Sequence, residues 1–394
     1  MHICLVNTEY PKETHFGGIA TYQKLLADAL VRKGYKVTVI AASSTDNQDY
    51  YEDGVHIIRI LKRISNENYD GFISYRKKVS DKIKQINSKD KIDIIETPEF
   101  GAETIFVDKD KLKIPVVVKL HTSYKLWSFF NNVKHNNKII HNEVIRIEDE
   151  LLKNADQIIS CSDLLRNMMK DYYDFIDIDK IKVVPNPIDI NSFYPARNNH
   201  KSKTVLFCGS IEKRKGVYVL AKAIPIVLRK IKDDDIKFQF IGNYENIDVD
   251  GICAKDEIYK MIPKKYHKNI EFLGIIPNKE LNKYYNEAFV GIVGSLFDNF
   301  PYVALEEMLT ELPVIASNNT GVKEMIKDKK SGLLYEPEDY KTLAELIIEL
   351  YNNPNKAKEM GKKARKEIIK KYSPETIVEK NIEIYKGVIY EFKR

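Results

Sequence analysis

The sequence has few cysteines, a single tryptophan and no long apolar run. The four cysteines are Cys4, Cys161, Cys208 and Cys253, and no two of them form a CxxC pair. Their wide separation argues against a zinc site or a disulfide framework and favours free thiols in a reducing cytoplasm. A membrane-spanning helix needs roughly 20 apolar residues, and the apolar stretches here are only about as long as a strand. No transmembrane helix is therefore expected.

The start of the chain, MHICLVNTEYP, lacks the basic and apolar regions of a signal peptide, so a cytoplasmic location is expected. The formal net charge is +6. This imbalance is too small to indicate a nucleic-acid partner, but it suits an anionic ligand. Hydrophobic residues make up 43% of 394 residues, which allows a packed core, and this length favours two domains over one.

Short apolar runs alternate with amphipathic segments along the whole chain. This alternation is typical of parallel strands covered by helices on both faces. It predicts an α/β protein with two doubly wound domains. The predicted strands are 2–7, 36–40, 55–60, 93–95, 115–120, 157–160 and 182–184 in the first half, and 204–208, 237–241, 270–273, 289–293 and 313–316 in the second.

A segment rich in proline and asparagine, VVPNPIDINSFYP at 183–195, interrupts the pattern near the middle of the chain. Such a composition is typical of a linker. It predicts a first domain over 1–188 and a second over 189–373. A last helix is predicted over 374–392, and its periodicity alone leaves open which domain it packs against.

The stretch SLFDNFPYVALEEM at 295–308 connects a predicted buried strand to a predicted helix. Ligands of open α/β sheets bind beyond the carboxyl ends of strands. Pro301 is predicted to be the first residue of the helix, which leaves the amides of Tyr302 and Val303 free. Free amides at a helix N-terminus are an anion site.

Two acids, Asp298 and Glu306, stand eight positions apart across this corner. Helical geometry turns Glu306 towards the packed side and back towards the N-terminus, where its oxygens can accept hydrogen bonds from a ribose diol. Glu307 is predicted to point roughly 100° away. The alternative interpretation is that Asp298 caps the helix and Glu306 is a surface residue.

A basic loop, GSIEKRKG at 209–216, follows another predicted strand. Lys213, Arg214 and Lys215 precede Gly216 and a helical run. Cations at a helix N-terminus oppose the helix dipole, so a bound anion would explain the cluster. A solvated loop in a lysine-rich protein is the alternative.

Polar residues also follow predicted strands in the first half. Gly17 and Gly18 lie between the first strand and the first helix, where glycine lets the backbone approach a ligand closely, although a flexible turn is an equal alternative. The pair is not a GxGxxG fingerprint. His121, Glu96 and Glu99 each follow or end a strand; a lone histidine is more often structural, but this position favours a function.

Together, these segments resemble the retaining glycosyltransferases of family 4, of the bacterial or archaeal cell-envelope and polysaccharide type. The resemblance implies the GT-B fold: two doubly wound Rossmann-like domains facing across a cleft, with 374–394 crossing back to the first domain. The first domain would bind the acceptor and the second the donor. The matching pieces, in order, are GGIATY, DIIETPEFGAE, ADQIISCS, VVPNPID, GSIEKRKG, IEFLGIIPNKELNKYYNEA, the corner, and TGVKEMIKDKKSGLLYEP.

The resemblance also implies roles for the two acids of the corner. The family has an E-x7-E motif whose second glutamate binds the ribose of a sugar nucleotide, and this carries over to Glu306. The first glutamate lies near the donor sugar; its position is Asp298 here, so the side chain is shorter.

The family's phosphate-binding lysine corresponds to Lys215, but its arginine is replaced by Ser210, and Arg214 or Lys213 are the candidates to supply the missing charge. Lys215, Asp298 and His121 are the implied residues nearest the chemistry. The other implied contacts are Asn299, Phe300, Tyr302 and Val303 at the corner, Gly274, Ile275 and Ile276 at the base, Gly17 and Gly18 near the donor, and Glu96 and Glu99 on the acceptor side.

The resemblance implies transfer of a sugar, with retention and without a metal ion or cofactor, from a UDP- or GDP-type sugar nucleotide to an acceptor hydroxyl. The acceptor would be a glycan, a lipid-linked molecule or a small molecule. An epimerase of the same fold and a non-catalytic sugar-nucleotide-binding subunit are the alternatives. Residues 119–146 combine basic and aromatic residues, which indicates either a peripheral contact with an anionic membrane or a partly buried loop and helix.

Overall fold

The computed structural model describes residues 1–13, 17–62, 69–130, 138–196, 202–245, 251 and 253–394. The chain divides into two compact units. Unit 1 comprises Met1–Pro187 and Pro374–Arg394, and unit 2 comprises Ile188–Ser373. Each unit is built on one sheet with helices packed against it.

The sheet of unit 1 has eight strands in the order β3-β4-β2-β1-β5-β6-β7-β8, parallel except where β3 meets β4. The strands are β1 (His2–Val6), β2 (Lys36–Ser43), β3 (Gln48–Glu52), β4 (Val55–Leu61), β5 (Ile94–Pro98), β6 (Val116–Leu120), β7 (Gln157–Ser160) and β8 (Lys182–Val183). The helices are α1 (Gly18–Arg32), α2 (Tyr69–Lys89), α3 (Lys109–Leu112), α4 (Tyr124–Phe130), α5 (Lys138–Asn154) and α6 (Asp163–Tyr172), with a 3-10 turn at Ile178–Lys180.

The hairpin between β3 and β4 explains the single antiparallel pairing. Asp53 and Gly54 occupy its two turn positions with φ angles of 51° and 82°. Two consecutive positive φ values define the turn type that matches the twist of a two-stranded ribbon, and the Asp-Gly pair favours it.

Unit 2 has six parallel strands in the order β11-β10-β9-β12-β13-β14. Both faces of the sheet are covered: in the central strand, Val205 and Phe207 enter one apolar core and Leu206 enters the other. The strands are β9 (Thr204–Cys208), β10 (Lys237–Ile241), β11 (Ile270–Gly274), β12 (Val290–Val293), β13 (Val314–Ser317) and β14 (Leu333–Tyr335). The helices are α7 (Val217–Ile231), α8 (Ala254–Met261), α9 (Asn278–Glu287), α10 (Tyr302–Leu309), α11 (Val322–Met325), α12 (Tyr340–Asn352) and α13 (Pro354–Tyr372), with 3-10 turns at Lys213–Lys215 and Lys264–Asn269.

The last helix, α14 (Pro374–Phe392), belongs to unit 1, as the GT-B resemblance implies. Its apolar stripe, which includes Ile377 and Tyr385, shares one core with Tyr22 and Leu26 of α1. Burial of this apolar stripe contributes most of the free energy that holds α14 against α1. The ion pairs Arg32–Glu375 and Lys33–Glu379 between the two helices are exposed, and exposed pairs contribute little.

All four cysteines are free thiols, and Cys4 and Cys161 are buried. Among the described residues, no helix is both long and apolar enough to span a bilayer.

Candidate functional site

The corner after β12 and the basic loop after β9 lie against each other at the carboxyl edge of the unit 2 sheet. The amide of Leu296 donates a 2.7 Å hydrogen bond to the Arg214 carbonyl. Gly216 has a φ of 78°, and a Cβ there would overlap the carbonyl of Gly294. The two loops therefore approach as closely as two backbones can, and glycine is required at the contact.

Lys215 and Asp298 form an ion pair between these two loops. The Lys215 Nζ to Asp298 Oδ2 distance is 2.6 Å, and the side chains are 21% and 16% exposed. The other carboxylate oxygen, Oδ1, accepts a hydrogen bond of 3.2 Å from the Phe300 amide. Asp298 thus bonds to the residue two positions on, and does not cap α10, since no side chain caps the N-terminus of that helix.

Arg214 is occupied by groups of the same two loops. Its Nη1 donates to the Phe297 carbonyl at 3.2 Å, and its Nη2 to Glu212 Oε1 at 2.6 Å. Ser210, where the family has arginine, is exposed. Arg214 therefore links the two loops through these hydrogen bonds.

Helix α10 begins one residue later than predicted. Pro301 lies at the N-cap with φ −73° and ψ 99°, and Tyr302 is the first helical residue. The Ala304 amide donates to the Pro301 carbonyl at 3.1 Å. Tyr302 and Val303 are partly exposed, while the side chain of Asn299 is buried.

Glu306 lies one turn into α10 and is partly exposed. Its Oε2 accepts a 2.8 Å hydrogen bond from the Tyr285 hydroxyl of α9. Burial raises the pKa of Glu306 to about 7, against the lowering effect of this hydrogen bond. Tyr285 was not predicted as a site residue, because nothing local to α9 shows that its hydroxyl meets a carboxylate 21 residues later in the chain.

Glu307 does turn away from Glu306, but into the protein interior. It is 0% exposed, and neither carboxylate oxygen has a hydrogen-bond partner among the described residues. The carboxylate occupies the space beside Gly291 in β12, where a Cβ would overlap it. Burial, together with the adjacent Glu306, raises the pKa of Glu307 well above its ordinary value. The signal available in the sequence was a glycine inside an otherwise apolar strand, which indicates a close approach.

Gly274 is the last residue of β11, and Ile275 and Ile276 follow it at the same edge of the sheet. Gly274 has a φ of 75°, and its carbonyl accepts a 2.8 Å hydrogen bond from the Gly242 amide at the end of β10. Ile275 is 74% exposed. An exposed apolar side chain in this position can pack against a flat ring of a ligand.

In unit 1, the structure brings His121 and Glu99 together. The His121 amide donates to both Glu99 oxygens, at 2.8 and 2.9 Å, and its ring meets the Tyr22 ring edge-on at 5.1 Å. Burial and the nearby Lys119 charge hold the pKa of His121 well below its ordinary value, so the imidazole is neutral. Burial raises the pKa of Glu99 to about 7.

Glu96, predicted on the acceptor side, lies in the core of unit 1. It is 1% exposed, and its two oxygens accept hydrogen bonds from Tyr22 at 2.8 Å and Tyr385 at 2.6 Å. Its carboxylate is thus committed to joining α1, β5 and α14, and it is not presented to a ligand.

Gly17 is the N-cap of α1, and Gly18 is the first residue of that helix. A Cβ on Gly17 would lie 2.7 Å from Glu9 Oε2, so the backbone here passes close to a carboxylate. His15 and Phe16, which precede Gly17, lie outside the described residues. In the part of the chain that is described, no cluster of His, Cys, Asp and Glu has the arrangement of a metal site.

Comparison with known proteins agrees with this architecture. The profile of the family described as Glycosyltransferase Family 4 matches residues 16–192, and that of Glycosyl transferases group 1 matches 191–367. An uncharacterized glycosyltransferase of Methanocaldococcus jannaschii is 26% identical over 401 residues, covering 98% of each chain.

Two solved structures extend the likeness to the fold. Sucrose-phosphate synthase from Thermosynechococcus elongatus superposes with a TM-score of 0.78 at 20% identity over 99% of both chains. Anabaena HepE in complex with UDP-glucose has a TM-score of 0.71 at 15% identity, over 98% of this chain and 100% of that one. The fold is therefore GT-B, the two-domain class of glycosyltransferases. The chain belongs to glycosyltransferase family 4 and is a transferase of the EC 2.4 class.

Proposed function

We propose that this enzyme transfers a sugar from a nucleoside-diphosphate sugar to an acceptor hydroxyl, with retention of anomeric configuration. The observation that carries the proposal is the group formed by Lys215, Asp298, the Phe300 amide and Glu306 at one sheet edge. A cation and an amide suit a diphosphate, and a carboxylate one helical turn away suits a ribose diol. Unit 2 is the donor-binding unit in this proposal, and unit 1 binds the acceptor.

The proposed reaction exchanges one bond at the anomeric carbon. The acceptor oxygen bonds to that carbon on the face from which the phosphate oxygen departs. The hydroxyl proton passes to the departing diphosphate, so a free nucleoside diphosphate is the second product. Lys215 and the amides of Tyr302 and Val303 stabilise the charge that develops on the leaving group.

The neutral imidazole of His121 is proposed to bind a hydroxyl of the donor sugar, since a neutral ring can both donate and accept. Glu99 holds the backbone of His121 and is proposed as a positioning residue on the acceptor side. The sequence resemblance adds that no metal ion takes part and that the nucleotide is UDP or GDP. The UDP-glucose held by the HepE structure supports a UDP donor.

A panel of UDP-, GDP- and ADP-sugars, assayed with and without EDTA and with a set of glycan, lipid-linked and small-molecule acceptors, tests the proposal. We expect transfer from one donor, with full activity in EDTA and a product whose anomeric configuration matches the donor by NMR. Epimerised donor without transfer would indicate an epimerase. Binding without any turnover would indicate a sugar-nucleotide-binding subunit.

We also propose that α4 contacts an anionic membrane surface, which places the enzyme at the inner face of the cytoplasmic membrane in polysaccharide or glycolipid synthesis. Trp127 and Phe129 of α4 are 41% and 63% exposed, and rings of this kind favour the lipid interface. Sedimentation with anionic vesicles tests the contact. It should be lost in Trp127→Ala/Phe129→Ala, and an unbound wild-type protein would exclude it.

A further inference from the structure

Asp298 makes the contacts that a bound anion would make. Its Oδ2 lies 2.6 Å from the Lys215 ammonium, and its Oδ1 accepts from the Phe300 amide at 3.2 Å. In the proposed function these same two donors bind the diphosphate. A phosphoryl oxygen and the Asp298 carboxylate therefore need the same groups.

The pairing is held from both sides by backbone contacts. The Leu296 amide donates a 2.7 Å hydrogen bond to the carbonyl of Arg214, the residue directly before Lys215. On the other loop, the Gly321 amide donates to the Asp298 carbonyl at 2.8 Å. These hydrogen bonds hold the two backbone segments that carry the ion pair, so we expect the pair to open by rotation of its side chains.

The chain's own acids neutralise two of the three basic side chains in the loop. Arg214 pairs with Glu212 at 2.6 Å, and Lys215 pairs with Asp298 at the same distance. Ser210 contributes no charge where the family has an arginine. An incoming anion can therefore bind the Lys215 ammonium in place of Asp298 only when this internal pair opens.

We infer that Asp298 is an internal anion that occupies part of the diphosphate position in the donor-free enzyme and is displaced when the donor binds. Lys215 and the Phe300 amide then pass from the carboxylate to a phosphoryl oxygen. The released carboxylate is free to turn towards the sugar. Asp298 thereby sets donor affinity by competition, and this inference rests on the proposed function.

Removal of the Asp298 charge should raise the affinity for a nucleoside diphosphate, whereas substitution of an ordinary binding residue lowers affinity. Asp298→Asn keeps the side-chain shape but weakens the hold on Lys215, so it should strengthen binding of the nucleoside diphosphate itself. A partly exposed ion pair of this kind corresponds to a gain of about fivefold. Transfer should fall in the same variant, because the carboxylate is no longer available at the sugar.

Isothermal titration of UDP, GDP and ADP into wild type, Asp298→Asn and Asp235→Asn tests this at one fixed salt concentration. Asp235 is an exposed acid of unit 2 that pairs with Lys203 at 3.4 Å, so its substitution makes the same change in net charge away from the site. We expect tighter binding in Asp298→Asn and unchanged binding in Asp235→Asn. Asp298→Ser should show the same gain in affinity. The double variant Asp298→Asn/Lys215→Met should show none, because the ammonium that the gain depends on is absent.

The possible failures are distinguishable. If wild type binds a nucleoside diphosphate and both Asp298 variants, folded by circular dichroism, bind it equally or more weakly, the competition is overturned while the proposed donor site stands. An equal gain in Asp235→Asn would also overturn it, since the effect would then be one of net charge. If none of the three nucleotides binds to wild type or to any variant, the proposed function fails, and this inference fails with it.

Discussion

The carboxylate of Glu307 fills the space that Gly291 leaves open in strand β12. The side chain is fully buried, and neither oxygen has a hydrogen-bond partner in the described part of the chain. A charged carboxylate without partners is costly in such a place, so the group keeps its proton. A buried neutral acid thus lies directly beside Glu306, the residue proposed to bind ribose.

Glu307→Gln should make the stability of unit 2 less sensitive to alkaline pH. The pKa of Glu307 is raised above its ordinary value of 4.5 in the folded state, so above that pH the unfolded chain binds fewer protons and wild-type stability falls. Between about pH 5 and about pH 8, the variant should gain roughly 1–3 kcal/mol relative to wild type. Urea unfolding of wild type and Glu307→Gln at both pH values measures this gain. The same difference in the free energy of unfolding at both pH values would contradict the prediction.

Gly291→Ala should destabilise unit 2, because the new methyl group overlaps the Glu307 carboxylate. Overpacking of this kind costs about 1–3 kcal/mol. Adding Glu307→Ala should recover much of the loss by removing the overlapped atoms. Thermal unfolding of the two single variants and the double variant gives the coupling, and additive losses would show that the two residues do not compete for space.

At about pH 8, above the raised pKa of Glu306, Glu306→Gln should weaken donor binding about 10- to 100-fold, because a charged acceptor of ribose hydroxyls is replaced by a neutral amide. Glu307→Gln is the matched control: it makes the same chemical change one residue further on, inside the core, and should bind the donor as wild type does. Titration with the active donor distinguishes them. Equal donor affinity in wild type and Glu306→Gln would show that Glu306 does not bind the ribose.

Tyr385→Phe should lower the stability of unit 1 by about 1–3 kcal/mol, since it leaves buried Glu96 without one of its two hydroxyl donors. Tyr390→Phe, on the same helix but 64% exposed, should change little. Chemical denaturation followed by the fluorescence of Trp127, the only tryptophan, reports on this unit.

Most strands could be predicted from the sequence, because a strand buried on both faces is a continuous apolar run. The strand β3, QDYYE, was missed because it is polar and lies at the sheet edge, although the Asp53-Gly54 turn after it is a recognisable hairpin signal. The three-residue strand β14, Leu333–Tyr335, was missed because it is too short to show a pattern.

The candidate site was predictable in part. Motif position placed Lys215 and Asp298 at neighbouring strand ends, but their ion pair joins loops 83 residues apart, and no local pattern reports such a pairing. The roles of Glu96 and Glu307 also depend on what packs against them. Glu96 meets a tyrosine 289 residues later in the chain, which sequence spacing cannot reveal.

The position of helix α14 in unit 1 determines the order in which the two units can be completed during synthesis. Unit 2 is one uninterrupted stretch, so all of it leaves the ribosome before α14 does. Synthesis of unit 1 begins first, but Tyr385, which packs with Tyr22 and bonds to Glu96, is missing until the last helix emerges. Domains fold as units once their residues are present, so the second unit can reach its native state while the first still exposes the apolar surface that α14 covers.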